Sequence, residues 1–142
     1  PPEPSAQDRT AVTEKNTQTQ GDRTDPERII AALRELRSPF ALYEQDIHQA
    51  VTRRLTEAGL PFTHEKNLAP GCRIDFWCGG VGIEIKKGKP SALLEQLRRY
   101  AVSEEIGTLV VLTQRSVRLP AAVCGKPLVQ ITLNQLWGVA LP

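Results

Sequence analysis

The chain has 142 residues, with 18 lysines and arginines against 16 aspartates and glutamates, and apolar side chains make up 40% of it. This length supports one domain with a modest core, which excludes a large enzyme with separate cofactor and substrate domains. The net charge of +2 is too small to identify a nucleic-acid-binding protein from bulk electrostatics alone.

No apolar run approaches the roughly 18 residues that a membrane-spanning helix requires, and no secretory signal opens the chain. Three cysteines without C-x-x-C spacing favour reduced thiols over a zinc or iron–sulfur site. These features predict a cytoplasmic protein that does not interact with a membrane. The start at Pro1 and the lack of methionine leave an upstream domain open, and a homodimer is open too.

Residues 1–24 are polar, rich in threonine, glutamine and proline, and almost free of large apolar side chains. Such a segment buries too little apolar surface to offset the entropy of the chain, so we predict a disordered tail or linker. The folded domain is then expected to comprise residues 25–142.

Two amphipathic helices are predicted at the start of this domain. Asp25 and Pro26 suit the N-cap and the first position of a helix that ends before Ser38. Its apolar residues are Ile29, Ile30, Leu33 and Leu36. A second helix is predicted over residues 40–58, and Gly59 ends it. Its apolar seam consists of Phe40, Ile47, Val51, Leu55 and Ala58.

Glu44 falls on the apolar seam of the second helix. A carboxylate in such a position needs a strong partner, or else it lies at the wet margin of the buried face. The sequence leaves both interpretations open.

The hydrophobic period changes from about 3.6 to about 2 residues after position 60. A first strand is predicted over residues 60–68, and two alternating strands follow over residues 72–78 and 81–86. Gly79 and Gly80 are typical of a two-residue hairpin loop, which sets the register. The expected pairs are Cys78 with Val81, Phe76 with Ile83 and Ile74 with Ile85 on one face, and Trp77 with Gly82, Asp75 with Glu84 and Arg73 with Lys86 on the other.

The remainder of the chain predicts one more helix and two more strands. The helix is expected from Pro90 to about residue 105. Its apolar stripe is Leu93, Leu94, Leu97 and Ala101. Residues 109–112 are a continuous apolar run, which indicates a strand buried on both faces. A turn or short helix over residues 114–125 and a strand over residues 128–133 follow. The order helix, three strands, helix, strand, strand predicts a mixed α/β domain.

A candidate metal site lies on the polar face of the hairpin. Asp75 and Glu84 are expected opposite each other, with β-carbons about 5 Å apart, where two negative charges repel unless a proton or a cation neutralises them. Two carboxylates and the Ile85 carbonyl are ligands that Mg²⁺ prefers, and Lys86 follows on the same face. This combination predicts metal-assisted hydrolysis of a phosphodiester. The alternative is a charged ladder of these side chains and Arg73 on the solvent face.

These residues resemble the pattern of the PD-(D/E)xK nuclease superfamily. That pattern has an Asp on one strand, Glu-x-Lys on the next strand and an additional Glu on a preceding helix. Here it corresponds to Asp75, to Glu84-Ile85-Lys86 and to Glu44.

A second motif strengthens the resemblance. Gln96 and Tyr100 look like the Q-x-x-x-Y motif of the RecB-like branch of the superfamily, and their spacing places both on one helix face. Ile74 stands where the proline of the family pattern would be. The resemblance covers about residues 40–113 and implies a restriction-endonuclease-like core, in which helices flank a mixed central sheet.

The resemblance implies a role for each residue. Asp75, Glu84 and the Ile85 carbonyl would bind Mg²⁺ or Mn²⁺, and Glu44 would bind a second ion or a metal-bound water. Lys86 would orient the attacking water and help to deprotonate it. Gln96 and Tyr100 would hold the metal shell or a substrate phosphate. Contacts to the nucleic-acid backbone, independent of sequence, would come from Lys87, Lys89, Arg98 and Arg99.

We therefore expect a metal-dependent nuclease that hydrolyses DNA phosphodiester bonds, with RNA less favoured as a substrate. The alternative is a catalytically inactive nuclease fold that binds nucleic acid or a protein partner. In a third interpretation the match is accidental, and Glu44 and Gln96 would then lie far from Glu84.

Three other side chains near the motif are expected to have structural roles. His48 and His64 are isolated in the sequence, which favours a structural or surface role. Trp77 is expected to pack beneath a helix, although its position on the polar face would also allow it to stack on a base.

Overall fold

The computed structural model describes residues 23–37 and 43–136, and its first helix, α1, spans Pro26–Leu33. Asp25 caps α1 as predicted, because its Oδ1 accepts a hydrogen bond of 3.0 Å from the Glu27 N–H. The helix ends earlier than expected, and Leu36 in the following turn is nevertheless buried.

Most of the segment that was predicted to be disordered lies outside the described residues, as does the chain after residue 136. Arg23 and Thr24, at the end of that segment, are held by the domain. The Thr24 N–H donates to the Gly79 carbonyl at 2.9 Å, and Arg23 Nη2 donates to the Glu104 carbonyl at 3.3 Å. These contacts extend the folded region to Arg23, ahead of the predicted boundary.

The second helix, α2, spans Glu44–Glu57 and so begins later than the predicted residue 40. Residues 40–42 lie outside the described residues. Tyr43 is extended, and its N–H donates to Asp46 Oδ2 at 3.0 Å. Asp46 thereby holds the backbone just before the first turn, which starts the helix at Glu44. Glu44 is exposed at the wet end of the apolar seam, where Ile47 is the first buried residue.

Six strands form one mixed sheet in the order β1-β2-β3-β4-β6-β5. The bounds of β1 to β6 are Thr63–Ala69, Cys72–Cys78, Val81–Lys86, Thr108–Thr113, Ala122–Val123 and Lys126–Thr132. The strands β1, β2 and β3 pair antiparallel, β4 is parallel to both β3 and β6, and β5 is antiparallel to β6. The short β5 lies in the segment that was predicted to be a turn or short helix. The predicted α/β class is confirmed.

The third helix, α3, spans Leu93–Ala101 and ends before the predicted residue 105. It connects β3 to the parallel β4, a connection that needs a crossover between the two edges of the sheet. A last helix, α4, spans Leu133–Leu136. Within residues 23–37 and 43–136, none of the helices combines the length and the apolar character needed to cross a membrane.

Two hydrophobic clusters cover the two faces of the sheet, with α1 and α2 on one face and α3 on the other. On the α1/α2 face, the cluster contains Phe76, Cys78, Val81, Ile83, Ile85, Val110 and Leu112 from the strands. On the α3 face, it contains Ile74, Leu109, Val111 and Leu128. Residues 81–85 of β3 are buried as a result.

The hairpin forms with the predicted two-glycine loop, but only part of the predicted register is present. The pairs that form are Phe76 with Ile83, Trp77 with Gly82 and Cys78 with Val81. Pairing stops there, because Asp75 Oδ2 instead accepts a hydrogen bond of 2.8 Å from the Ile85 N–H. The three predicted pairs beyond this point, Ile74 with Ile85, Asp75 with Glu84 and Arg73 with Lys86, are therefore wrong as ladder pairs.

The side-chain alternation of β2 changes at Asp75. Ile74 was predicted to share a face with Phe76, but it packs on the α3 face while Phe76 packs on the α1/α2 face. On the neighbouring strand, Glu65 lies between the partners of these two residues and has a φ of 56°. A positive φ takes a non-glycine residue out of the regular pleat, so strict alternation does not hold here.

Candidate active site

The candidate site lies where β3 ends. The ends of the parallel strands β3, β4 and β6 place Lys86, Thr113 and Thr132 side by side, and we call this the carboxyl edge of the sheet. Glu84 faces α3 and is only 5% exposed, whereas Lys86, on the same face by strand alternation, is partly exposed. The alternative prediction of a charged ladder facing solvent is therefore wrong for Glu84.

Tyr100 and Gln96 of α3 form a hydrogen-bonded network with Glu84. The Tyr100 hydroxyl lies 3.1 Å from Glu84 Oε2 and 2.9 Å from the Arg73 carbonyl, and it accepts a bond of 3.0 Å from Gln96 Nε2. The hydroxyl has a single hydrogen to donate, so an ionised Glu84 and the Arg73 carbonyl compete for it. A protonated Glu84 removes this competition, because it donates to Tyr100 while Tyr100 donates to Arg73.

Asp75 adjoins Glu84, although not through the predicted ladder pair. The Asp75 N–H donates to Glu84 Oε1 at 3.3 Å, while the Asp75 carboxylate accepts from the Ile85 N–H. The Asp75 side chain is 22% exposed, so it connects the buried Glu84 to the surface of the protein. The structure thus brings Asp75, Glu84 and the Ile85 backbone together.

The surroundings of Glu84 change its acid–base chemistry. Burial raises the pKa of Glu84 from 4.5 to about 8, and the negative charge of Asp75 adds to this effect. Burial and the charge of Glu84 also raise the pKa of Tyr100 above its ordinary value, which keeps its hydroxyl a hydrogen-bond donor. The Asp75–Glu84 pair is therefore suited to share a proton or to bind a cation.

Helix α2 brings Glu44 and His48 to Asp75. The ligand atoms of these three residues all lie within 4.8 Å of one another, and His48 Nε2 is 3.9 Å from Asp75 Oδ1. His48 was expected to have a structural or surface role, so the sequence interpretation missed its position. Its spacing of four residues from Glu44 is the signal that puts both side chains on one helix face.

The accidental-match interpretation predicted that Glu44 and Gln96 lie far from Glu84. Gln96 instead reaches Glu84 through the Tyr100 hydroxyl. Glu44 lies beside Asp75, whose N–H bonds to Glu84. Each of the two residues is thus connected to Glu84 through one intermediate residue, Tyr100 for Gln96 and Asp75 for Glu44.

His64 of β1 supports His48. His48 Nδ1 and His64 Nε2 are 2.9 Å apart, and the His64 ring stacks on Phe76 with ring centroids 4.6 Å apart. A hydrogen bond at Nδ1 sets the ring orientation and directs Nε2 of His48 towards Asp75. The pair of histidines therefore belongs to the surroundings of the site.

Two of the predicted basic contacts follow β3 directly. Lys87 is partly exposed and Lys89 is exposed, and both belong to the segment that leaves the carboxyl edge. Lys87 Nζ lies 5.8 Å from the centre of the Tyr43 ring, next to Glu44 at the start of α2. These lysines are therefore close to the site.

The other two predicted contacts, Arg98 and Arg99, are exposed on the second half of α3. Arg98 forms an ion pair of 3.8 Å with Glu95, which is also exposed. Both arginines precede Tyr100 in the sequence, and Tyr100 reaches Glu84 from the same half of α3.

Arg73 and Trp77 have structural partners. Arg73 forms an ion pair of 3.2 Å with Glu65 on the adjacent strand. Trp77 Nε1 donates to the Glu105 carbonyl at 2.8 Å, and its ring packs against the cluster on the α3 face. The packing role predicted for Trp77 is confirmed.

The chain was compared with family models, with curated proteins and with solved structures, and none of the three comparisons finds a match. A functional proposal for this protein therefore rests on the residues and geometry described above.

Proposed function

We propose that this chain is a divalent-metal-dependent deoxyribonuclease with a restriction-endonuclease-like core. The observation that carries the proposal is the meeting of Asp75 and Glu84 beside Lys86 at the end of β3. Helices α2 and α3 each add polar side chains to this pair. A match of spacing along the chain alone would not require residues from four separate elements to meet in space.

The donor set suits a divalent cation. Glu84 is buried beside Asp75 and forms no ion pair with a described residue, so an ionised Glu84 would lack a counter-charge there. Carboxylate and carbonyl oxygens are ligands that Mg²⁺ and Mn²⁺ prefer. The imidazole of His48, beside Glu44 and Asp75, adds a nitrogen ligand, which favours Mn²⁺ over Mg²⁺. When bound, such an ion would polarise a phosphate and lower the pKa of a water molecule.

The side chains around the pair then have distinct tasks. In hydrolysis, a water oxygen attacks phosphorus in line with the leaving sugar oxygen, so that one P–O bond forms as the opposite one breaks. Lys86 would orient the attacking water and help to remove its proton. Tyr100 and Gln96 would hold the Glu84 carboxyl in one orientation before the substrate arrives, which lowers the cost of ordering the site.

The experiment that tests this proposal is incubation of the purified chain with supercoiled and linear DNA in Mg²⁺, in Mn²⁺ or in EDTA. We expect cleavage with metal, faster in Mn²⁺ than in Mg²⁺, and none in EDTA. Asp75→Asn and Lys86→Ala should each slow cleavage by a factor of roughly 10² or more, while the circular dichroism spectrum stays unchanged. A single-stranded RNA substrate in the same assay establishes which nucleic acid is preferred.

The matched control is Glu95→Gln, which removes an exposed carboxylate one residue before Gln96. It should cleave like the unmodified chain. Unchanged cleavage by Lys86→Ala would show that a contaminant or another site is responsible. DNA binding without cleavage in any metal would overturn the enzyme proposal and favour the inactive binding module.

A further inference from the structure

The carboxyl edge of the sheet carries two loops that are close in space although far apart in sequence. Residues 87–92 leave β3, and residues 114–121 leave β4. Lys86 lies opposite Thr113 in the parallel register, so both loops begin side by side. Adjacent strands are about 4.8 Å apart, and Arg115 follows Thr113 by two residues, or about 7 Å of chain. The backbone of Arg115 is therefore within about 10 Å of the end of β3.

The charges of these two loops have only one sign. Residues 85–94 and 106–142 contain no aspartate or glutamate. The basic residues at the carboxyl edge are Lys86, Lys87, Lys89, Arg115 and Arg118. In contrast, α1 and α2 carry both signs, and Arg54 of α2 pairs with Glu35 at 2.7 Å and with Glu57 at 3.4 Å. Positive charges concentrated beside the proposed phosphodiester site favour a polyanion as the partner.

The second loop is held in place by a side chain of β6. Gln130 Oε1 accepts from the Val117 N–H at 2.8 Å and from Thr113 Oγ1 at 2.9 Å, and Gln130 Nε2 donates to the Val117 carbonyl at 2.8 Å. The N–H and the carbonyl of Val117 are thus both bonded to the Gln130 side chain, an arrangement that we call the Gln130 clamp. Leu119 packs against the cluster on the α3 face, the face on which Glu84 lies.

The ends of this loop are tied as well. The Asn134 N–H donates to the Gln114 carbonyl at 3.2 Å, and the Leu128 N–H donates to the Ala121 carbonyl at 2.9 Å. Arg115 and Arg118, on either side of the clamped Val117, are exposed. A loop fixed at its two ends and its middle presents its exposed side chains at a low cost in conformational entropy.

We propose that Arg115 and Arg118, held by the Gln130 clamp, bind the sugar–phosphate backbone of DNA next to the bond that is cleaved. The inference rests on the proposed nuclease function and adds a binding element on the side of the site away from α2. A reach of about 10 Å from Lys86 corresponds to roughly three nucleotides of one strand at 3.4 Å each. These arginines contact phosphates, so they do not select a base sequence.

The test measures binding of a short fluorescein-labelled DNA duplex by fluorescence anisotropy in EDTA, at several salt concentrations between about 50 and 200 mM. Arg115→Ala/Arg118→Ala should weaken binding by roughly 10- to 100-fold and lower the slope of log affinity against log salt by about 2. The matched control, Arg28→Ala/Arg34→Ala, removes two exposed charges from α1 and its C-cap on the opposite face. It should lower the slope by much less.

Gln130→Leu tests the clamp itself, because it frees the loop without changing the net charge. We expect weaker binding by roughly 3- to 10-fold, with a thermal unfolding midpoint measured alongside to verify folding. If this variant does not fold, the arginine variants still test the inference, because replacing two exposed side chains should leave the fold intact. Equal losses in the loop variant and in the α1 control would overturn the inference.

The outcomes separate this inference from the proposed function. Binding is measured without metal, so a chain that binds DNA through Arg115 and Arg118 but cleaves nothing supports the loop and contradicts the nuclease proposal. A chain that cleaves DNA, with binding unaffected by the loop variant, supports the nuclease proposal and overturns the role of the loop.

Discussion

At the scale of single residues, the protonation state of Glu84 is the property of the site that depends most on neighbouring groups. It is a buried carboxyl group that lies beside another carboxyl group, and a tyrosine hydroxyl is its nearest side-chain donor among the described residues. Such an environment favours the neutral form until a cation arrives. A cation placed beside Glu84 would favour the ionised form instead.

Removing the Tyr100 hydroxyl should destabilise the domain. Tyr100→Phe removes the hydrogen bonds of this hydroxyl to the Arg73 carbonyl, the Gln96 amide and Glu84 Oε2, and we expect a loss of about 1–3 kcal/mol in the free energy of unfolding. Urea denaturation followed by circular dichroism measures this loss. Tyr43→Phe removes the same atom from a ring that is 64% exposed, and it should change stability by less than about 0.5 kcal/mol. Equal effects of the two variants would contradict the network.

The stability of the metal-free chain should depend on pH through Glu84. Below pH 4.5 this carboxyl is protonated in both the folded and the unfolded chain, so it has no effect. Between pH 4.5 and about 8 the unfolded chain releases the proton while the folded chain keeps it, so stability falls as the pH rises. The slope is at most about 1.4 kcal/mol per pH unit for one group.

Glu84→Gln removes this contribution, and its stability advantage over the unmodified chain should grow from pH 5 to pH 8. Thermal unfolding in EDTA across this range measures the difference. Glu95→Gln, at an exposed position, should follow the pH profile of the unmodified chain. If Glu84→Gln and the unmodified chain have parallel profiles, Glu84 is already ionised in the folded protein.

At the scale of elements, the hairpin of β2 and β3 explains why a glycine lies opposite Trp77. A β-carbon added to Gly82 would lie 2.4 Å from Ile74 Cδ1 and 2.8 Å from Ile106 Cδ1. Because the alternation of β2 changes at Asp75, Ile74 occupies the space above Gly82. The change that brings Asp75 to the backbone of β3 thus also sets the residue type at position 82.

We predict that Gly82→Ala destabilises the domain by about 1–3 kcal/mol, through overpacking against Ile74. Ile74→Val removes the Cδ1 atom and should cost about 0.5–1.5 kcal/mol by itself. The double variant should lose less stability than the sum of the two single losses, because each change relieves the other. Urea denaturation of the four chains in this cycle measures the coupling, and purely additive losses would show that the two side chains do not compete for space.

At the scale of the whole molecule, the charges are distributed unevenly between the α1/α2 face and the carboxyl edge of the sheet. The α1/α2 face carries an ion pair between Arg54 of α2 and Glu35 in the turn after α1, and the carboxyl edge carries an excess of cations. The cluster of Glu44, His48 and Asp75 lies where these two regions meet, because α2 brings Glu44 and His48 to Asp75. Binding of a cation at that junction would connect α2 to the sheet.

Metal should therefore stabilise the entire fold. An ion that binds only the folded chain adds about 2.7 kcal/mol at a concentration of 100 times its dissociation constant, and the unfolding midpoint rises accordingly. We expect Mn²⁺ to raise this midpoint, EDTA to reverse the rise, and Asp75→Asn to abolish it. Differential scanning fluorimetry measures all three effects. A rise of the same size in Asp75→Asn would place the metal somewhere else.

Much of the fold follows from local patterns in the sequence. The helical spacing of Ile29, Ile30 and Leu33, the Asp25 cap and the two-glycine loop each depend on near neighbours in the chain. For that reason the first three helices, most strands and the first three hairpin pairs could be predicted, whereas the short α4 was not. The Gln96–Tyr100 spacing is equally local, since residues four apart share one face of a helix.

The tertiary structure alone decided how distant segments meet. Parallel pairing of β3 with β4 brings Thr113, and the loop that follows it, beside Lys86, and no local pattern specifies which strands will pair. The position of His48 depends on how α2 packs on the sheet, and Ile74 packs on the α3 face beside Gly82 of the neighbouring strand. The sequence thus predicts which side chains form the candidate site, because the chemistry that a group of side chains can perform depends on their types and spacing. Their burial, and hence the pKa of Glu84, depends on contacts between elements that only folding creates.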